Sequence, residues 1–385
     1  MRPAERWHLA ARGLSRRPVR TLLTLLGVVI SVTSMILFLS LGQGLKGQFR
    51  EELRSAGPDV QVARPAPLSL LPLPNLPRSV VAAVTANAAE LGVTGVTPVV
   101  AQIKQALDPT QSAVYYGLPA REGLQALFPQ VRVARGRLLQ ASDEGQAVAV
   151  LGAVAARNQQ LGVGDEFMIT RRARVRVIGV LEPQQTLTDT FTFLPLTGAQ
   201  RALGLGDQLS FVALRLRDPE RAPEVAAQLR RITHLDVRTR EDVLWSFSAL
   251  LGRADLLSLV LSLVSLGVGA LGVANTMLMA VHERTREFGV LRAMGARPGF
   301  VGQLVIAEGL LLAVVGWSAG ALLSMPGVWA INHLTQRVAG LDGAAFSPQL
   351  LGLSLGLSLL LGLLSGLWPA YRAGRTSIAE ALGQC

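Results

Sequence analysis

Cysteine, lysine, histidine and charge are all scarce in this chain. Its 385 residues hold one cysteine, Cys385, at the last position, so no disulfide and no cysteine-based metal site forms within one chain. The four histidines, His8, His234, His282 and His333, are scattered. His282-Glu283 opens like a zinc-protease helix, but the second histidine is missing because position 286 is Arg. Lysine occurs twice, at Lys46 and Lys104. Neither completes the phosphate-cradling loop G-x-x-x-x-G-K followed by Ser or Thr, since Gly47 and Gln105 come next. The pattern G-x-S-x-G occurs at Gly316–Gly320 and Gly352–Gly356, both inside long uncharged runs and not at a strand-to-helix turn, so neither reads as a nucleophile elbow. Any work driven by ATP is therefore expected to draw on hydrolysis by another chain. Charged residues make up 16% of the sequence, against about a quarter in a soluble domain. Half of the residues are hydrophobic, and the mean hydropathy is +0.39. That content excludes a disordered chain and a nucleic-acid-binding tail, and it argues against an ordinary soluble enzyme.

What the sequence does have is long uncharged runs. Leu22 to Leu41 reads LLTLLGVVISVTSMILFLSL, bracketed by Arg20 and Lys46. About 20 residues at about 1.5 Å each cross a hydrocarbon core of about 30 Å. A signal peptide has a shorter apolar region and a small-residue cleavage site, so this run reads as an uncleaved first membrane helix. A second run lies between Asp255 and His282, a third from about Phe300 to Ile331 and a fourth from about Leu350 to Trp368. The third contains one acid, Glu308. A charge near a bilayer centre usually marks function. Glu308 lies only about eight residues into its span, so a place near the headgroups or against a dimer partner is equally open. A structural role is favoured over transport chemistry. Gly267, Gly269 and Gly272 in span two, and Gly352, Gly356, Gly362 and Gly366 in span four, are expected to allow close helix packing.

The formal net charge of +11 is explained by topology. Arg2, Arg6, Arg12, Arg16, Arg17 and Arg20 precede span one; Arg284, Arg286, Arg292 and Arg297 follow span two; Arg372 and Arg375 follow span four. The loop between spans three and four carries only Arg337. Basic residues close to span ends stay inside, which predicts cytoplasmic termini and a cytoplasmic second loop. The segment between spans one and two holds 24 of the 37 basic residues and is too long to obey that rule. It is expected outside, as a folded domain. Nucleic acid is not needed to account for the charge.

Residues 42 to 254 number 213, ample for a core. The proline-rich run Arg64 to Arg78 predicts a loop. Further on, Ala147–Leu151 predicts a strand, Ala153–Leu161 a helix stopped by Gly162-Val163-Gly164-Asp165, and Glu166–Thr170 with Arg174–Leu181 a hairpin. Arg172, Arg174 and Arg176 alternate there against Val175 and Val177. Ser210–Leu216 predicts another strand, Asp218 to about Ile232 a helix with Pro219 inside its start, and Asp236–Thr239 a last strand. From about Asp242 the chain reads helical into span two. The acid pairs Asp143/Glu144 and Asp165/Glu166 flank turns, and solvated turns are the favoured reading. Alternating strands and helices predict an α+β domain.

The most specific segment follows span two. Glu283 to Met294 predicts a short amphipathic helix with Phe288, Leu291 and Met294 on one face, Val290 beside them, and Gly295 as its stop. Either it lies on the membrane or it docks into a groove on a partner. This stretch, ERTREFGVLRAMGA from Glu283 to Ala296, resembles the one after the second span in permeases of the MacB/FtsX/lipoprotein-release type of ABC transporter. Arg16 to Gly27 resembles the same family's approach to span one. Trp368-Pro369-Ala370-Tyr371-Arg372-Ala373 with Glu380-Ala381-Leu382 resembles its close. Val150-Leu151-Gly152, Val177 to Leu181 and Leu194 to Thr197 are similar to runs in its periplasmic core domain. The likeness covers nearly the whole chain and is weaker between Gly57 and Arg135.

The resemblance implies an α-helical membrane protein with four transmembrane helices and a large α+β, MacB-like extracytoplasmic domain between the first two. The expected division is 1–20 cytoplasmic, 21–41 span one, 42–254 extracytoplasmic domain, 256–281 span two and 282–299 coupling helix. Span three is 300–331, a short outer loop 332–349, span four 350–368 and a cytoplasmic tail 369–385. It implies that Glu283, Arg284, Thr285, Arg286, Glu287, Phe288, Gly289, Val290, Leu291, Arg292, Ala293, Met294 and Gly295 contact a separate ABC ATPase subunit. Two copies of the chain, or the chain and a close paralogue, would pair in the cytoplasmic membrane. The family also often carries an acid at the position of Glu308. ATP-driven closure would then work the outer domains, exporting or extracting a substrate, with a periplasmic adaptor or envelope protein as a further partner. No cofactor and no catalytic residue is implied. An FtsX-like scaffold that activates an envelope enzyme without transport is the alternative. A receptor with no ATPase partner is a third reading, and the amphipathic helix argues against it.

Overall fold

The computed structural model describes residues 18–55, 57–64, 74–104, 113–171, 173–295 and 298–375. The basic residues up to Arg17, most of the proline-rich run, Arg172, Ala296, Arg297 and the tail motif Glu380–Leu382 lie outside them. The chain divides into two compact units. One comprises the membrane helices, up to Gly44, Gly252–Ile331 and from Ala344. The other is a domain of Leu45–Leu251 with Asn332–Gly343.

Four helices carry the first unit: α1 (Pro18–Ser55), α7 (Arg240–Glu283), α9 (Pro298–Ala339) and α10 (Pro348–Arg375). Each is long and apolar enough to cross a membrane. A short helix, α8 (Thr285–Ala293), sits between α7 and α9. Val28, Val32 and Ile36 of α1, Val273, Met277 and Val281 of α7, Val301, Val305 and Leu312 of α9 and Leu361 and Ala370 of α10 share one buried cluster. Lipid gives no hydrophobic drive for helices to associate, so shape and hydrogen bonds must hold them. Glycines supply the shape. A Cβ on Gly320 would stand 2.9 Å from Val32 Cβ, and one on Gly309 would stand 2.8 Å from the Gly362 carbonyl oxygen. Hydroxyls supply the bonds. Ser31 donates to the Ser265 carbonyl at 2.8 Å, Thr33 to the Gly320 carbonyl at 3.1 Å, and Trp317 Nε1 to Ser354 Oγ at 2.9 Å.

The expected glycine faces are only partly right. Gly269 meets Ser31, and Gly362 and Gly366 meet α9, but Gly267, Gly272, Gly352 and Gly356 face open space. The closest approaches centre on Gly309, Gly316, Gly320 and Gly327 of span three. Gly316 and Gly320 stand four residues apart, the small-xxx-small spacing of close helix packing, although the expected faces did not include them.

The domain is built on a ten-stranded sheet in the order β12-β1-β11-β3-β4-β9-β6-β8-β5, with β7 paired to β8. The strands are β1 (Val60–Ala63), β3 (Val93–Lys104), β4 (Ala113–Leu118), β5 (Val133–Gly136), β6 (Val148–Leu151), β7 (Glu166–Thr170), β8 (Ala173–Leu181), β9 (Phe191–Pro195), β11 (Phe211–Leu216) and β12 (Asp236–Thr239). A separate two-residue pair joins β2 (Leu76–Pro77) to β10 (Gln208–Leu209). The β4–β9 and β6–β8 pairs are parallel and the rest antiparallel, which makes the sheet mixed. Strand β3 joins the two halves: Val93 to Val99 pair with β11 and Val100 to Lys104 with β4.

Helices cover the sheet: α2 (Ser79–Ala86), α3 (Gly123–Leu127), α4 (Ala153–Gln159), α5 (Leu196–Leu203) and α6 (Ala222–Thr233). On α6, Ala222, Val225, Ala226 and Leu229 are buried, the i, i+3, i+4, i+7 stripe of a helix lying on a core. Asp218 begins this segment by accepting the Glu220 N–H. In the other half, Tyr116, Phe128, Phe191 and Phe193 form an aromatic cluster. Strand β8 alternates as expected, with Val175 and Val177 buried and Arg174 and Arg176 exposed.

Helix α9 continues to Ala339, through the first eight residues of the expected loop 332–349. Its last carbonyls are orphan acceptors. Arg157 Nη2 donates to the Gln336 carbonyl at 2.9 Å and Asn158 Nδ2 to the Val338 carbonyl at 3.1 Å. Gly340 ends the helix at φ +74°, with the Val154 side chain filling the place of a Cβ.

Candidate functional site

The segment singled out by sequence straddles a joint. Glu283 ends α7, and Arg284, at φ −100° and ψ 12°, separates it from α8. Helical hydrogen bonding still bridges the joint: the Arg284 N–H donates to the Ala280 carbonyl at 3.1 Å, and the Phe288 N–H to the Arg284 carbonyl at 3.0 Å. Thr285 Oγ1 donates to the His282 carbonyl at 2.8 Å. Gly295 stops the segment at φ +97°, as expected of a residue without Cβ.

The faces of α8 differ from the expected ones. Phe288 is buried in the same cluster as Val301, Leu304 and Val305 of α9, and Gly289 is buried beside it. Met294, expected on the Phe288 face, is 72% exposed, and Val290 is 42% exposed. The reason is the turn of the helix: Met294 lies six positions after Phe288, about 600° at about 100° per residue, which leaves them about 120° apart round the helix. The Leu291 side chain lies outside the described residues. Arg286, Glu287, Val290 and Met294 line a shallow, open, mainly apolar depression of about 430 Å³. Arg292 is half-buried, and Ala293 is exposed.

Glu308 of α9 is buried, 5% exposed, and it is paired. Arg284 Nη1 donates to its Oε1 at 2.7 Å. The same guanidinium donates through Nε to Glu287 Oε2 at 3.2 Å and lies 5.6 Å from the centre of the Phe288 ring. Sequence reasoning noted both residues without joining them. The available signal was a lone acid in an uncharged run, which demands a counter-charge, and an Arg just outside the preceding span.

Several acids of the domain are engaged by hydrogen bonds or ion pairs. Asp143 is gripped by both arms of Arg137 and accepts the Gln140 N–H at 2.8 Å. The Arg137 hydrogen bonds hold its carboxyl below the usual carboxylate range. Glu144 accepts the Ala120 N–H at 2.8 Å and the Thr197 hydroxyl at 2.6 Å. Burial opposes its ionisation, but these bonds outweigh it and lower its pKa. Burial pushes the Asp189 carboxyl up against the N–H groups of Gln184 and Gln185. Asp165 accepts the Gly162 N–H, and Glu166 pairs with Arg176. Among the described residues, no group of three His, Cys, Asp or Glu is placed to hold a metal ion.

Residues 21–232 match the profile of the MacB-like periplasmic core domain, and residues 259–378 match that of the FtsX-like permease C-terminal region. The pyoverdine export ATP-binding/permease protein PvdT of Pseudomonas syringae pv. tomato is 27% identical over 389 residues, covering 94% of this chain and 57% of its own length. The macrolide export ATP-binding/permease protein MacB of Rhodospirillum rubrum is 27% identical over 406 residues, covering 97% of this chain and 59% of its own length. The chain thus spans a little under three fifths of these two proteins. An uncharacterized ABC transporter permease of Methanocaldococcus jannaschii is 25% identical and covered almost throughout, 97% of this chain and 96% of that protein. The periplasmic region of MacB from Actinobacillus actinomycetemcomitans aligns with a TM-score of 0.37 at 15% identity, over 51% of this chain and 96% of that one.

Proposed function

The chain belongs to the MacB/FtsX-type ABC transporter permeases, and from that premise we propose that it is the membrane subunit of an exporter, worked by a separate ATPase subunit. In this reading α8 is the coupling helix, the termini are cytoplasmic, and the sheet domain stands outside the cytoplasmic membrane. ATP-driven closure of the partner displaces α8, and the membrane helices carry the displacement to the outer domain, where the substrate is moved.

The observation that carries the reading is the two-sidedness of α8. Phe288 anchors one side in the helix bundle while Val290 and Met294 stand exposed on the other, flanked by Arg286 and Glu287. An interfacial helix would present basic residues on its polar face and bury its apolar face in lipid. Here the outward face mixes both charges with two apolar side chains, which suits a protein groove. A second copy of the chain is supported by α7. Only 22% of its most apolar stretch is buried, against 39%, 44% and 39% for the other three membrane helices.

The test is purification of the tagged chain from its own membranes in mild detergent, with mass spectrometry of what accompanies it. A P-loop ATPase is expected with the wild type and is expected to be lost with Val290→Glu plus Met294→Glu. An ATPase absent from the wild type, or retained in full by the variant, contradicts the reading.

A further inference from the structure

We propose that the Arg284–Glu308 ion pair is the positioning element that fixes α8 to the third membrane helix, so that α8 and α9 move as one body. The proposal rests on the coupling role given to α8 above, and it deepens that role by naming the path the displacement takes.

The argument starts from cost. A carboxylate buried among helices is expensive, and a buried pair is often no more stable than a well-packed apolar pair of the same size. Stability alone therefore does not account for Glu308, 5% exposed in a span with no other acid. What an ion pair adds over an apolar contact is direction. Arg284 offers a planar guanidinium in fixed geometry, and it is held by three contacts: Nη1 to Glu308 at 2.7 Å, Nε to Glu287 at 3.2 Å, and Cζ over the Phe288 ring at 5.6 Å.

Place matters as much as geometry. Arg284 is the joint between α7 and α8. A push on α8 could be absorbed there by a change of backbone angle, leaving both membrane helices still. The pair braces that joint. It runs from the joint to a residue 24 positions on, in α9. Phe288, in the same buried cluster as Val301, Leu304 and Val305, makes a second attachment to the start of α9. An apolar contact tolerates sliding, whereas the single 2.7 Å hydrogen bond to Glu308 comes from a guanidinium already held by Glu287 of α8 and fixes one distance between the helices. Together they leave α8 no independent rotation.

The test measures that rotation. The full chain is placed in nanodiscs with Cys385→Ser, and spin labels are attached at Ala293→Cys on α8 and Val315→Cys on α9. The distance distribution is recorded by pulsed electron resonance. With Arg284 and Glu308 intact, one narrow distance is expected, and it stays unchanged when ATP and vanadate are added to the complex with its ATPase. Arg284→Met with Glu308→Leu keeps apolar packing and is expected to keep the melting temperature, while the distribution at least doubles in width and shifts with nucleotide. Glu308→Gln, which keeps the volume and loses the charge, is expected to broaden it too. A distribution of wild-type width in both variants overturns the proposal. If no ATPase accompanies the wild type, the coupling reading falls, while the nucleotide-free widths still decide whether the pair fixes α8.

Discussion

Arg240 Nη2 lies 2.8 Å from Asp59 Oδ1, joining the first residue of α7 to the residue before β1. Asp59 is 4% exposed; its Oδ2 accepts the Leu216 N–H at 2.9 Å and its carbonyl accepts the Arg240 N–H at 3.1 Å. The pair thus fixes, within the domain, the point where the long helix of span two begins. Breaking a buried pair by removing one partner leaves an uncompensated charge, at a cost of about 3 kcal/mol or more. Asp59→Ala is expected to lower the unfolding free energy of the purified chain by about that much, read as a lower denaturant midpoint. The half-exposed Arg238–Asp236 pair nearby is the control, where Asp236→Ala is expected to cost under about 1 kcal/mol.

The glycine contacts of span three predict a second contrast. Gly320→Val places branched carbon against Val32 and the Val29 carbonyl, 2.9 and 3.1 Å from where its Cβ must sit. Overpacking of this kind costs about 1–3 kcal/mol, so the melting temperature in detergent is expected to fall. Gly352→Ala meets nothing within 4 Å, and Ala favours a helix over Gly by about 1 kcal/mol. Its melting temperature is expected to hold or rise.

Acid sensitivity follows from Asp143. Its folded-state pKa is lowered, chiefly by the Arg137 hydrogen bonds. A depressed carboxyl stabilises the fold above its ordinary pKa of about 3.9, and that contribution is lost as pH falls through the lower folded-state value. Denaturant midpoints measured across the acid range are expected to drop there in the wild type. Asp143→Asn is expected to flatten that limb and to cost about 2 kcal/mol at neutral pH, the size of a lost charge-assisted hydrogen bond.

Much of this was legible in the sequence because membrane spans announce themselves. Uncharged runs of span length predicted all four helices, and Gly295 marked the end of α8. In the domain, β6, α4, the β7–β8 hairpin, α6 and β12 follow alternation and cap signals. Strands β3 and β4 did not show. Gly95 and Pro98 interrupt β3, and both strands are covered on two sides, so neither alternates cleanly. The inner and outer faces of α8 were also misread, because a three-residue spacing drifts round a helix of 3.6 residues per turn. The Arg284–Glu308 pair was hidden for a different reason. A contact across a helical joint leaves no periodic trace, and only the energetic demand of a buried acid points to it.

The central claim is that the outward face of α8 meets an ATPase. The most direct measurement puts a photo-crosslinking amino acid at Met294 in cells and, as a control, at Leu322 on the exposed face of span three. The account predicts a single ultraviolet-dependent adduct at Met294, whose partner carries a P-loop sequence by mass spectrometry, and none at Leu322. An adduct at Met294 with lipid alone, or no P-loop protein among its partners, would contradict it.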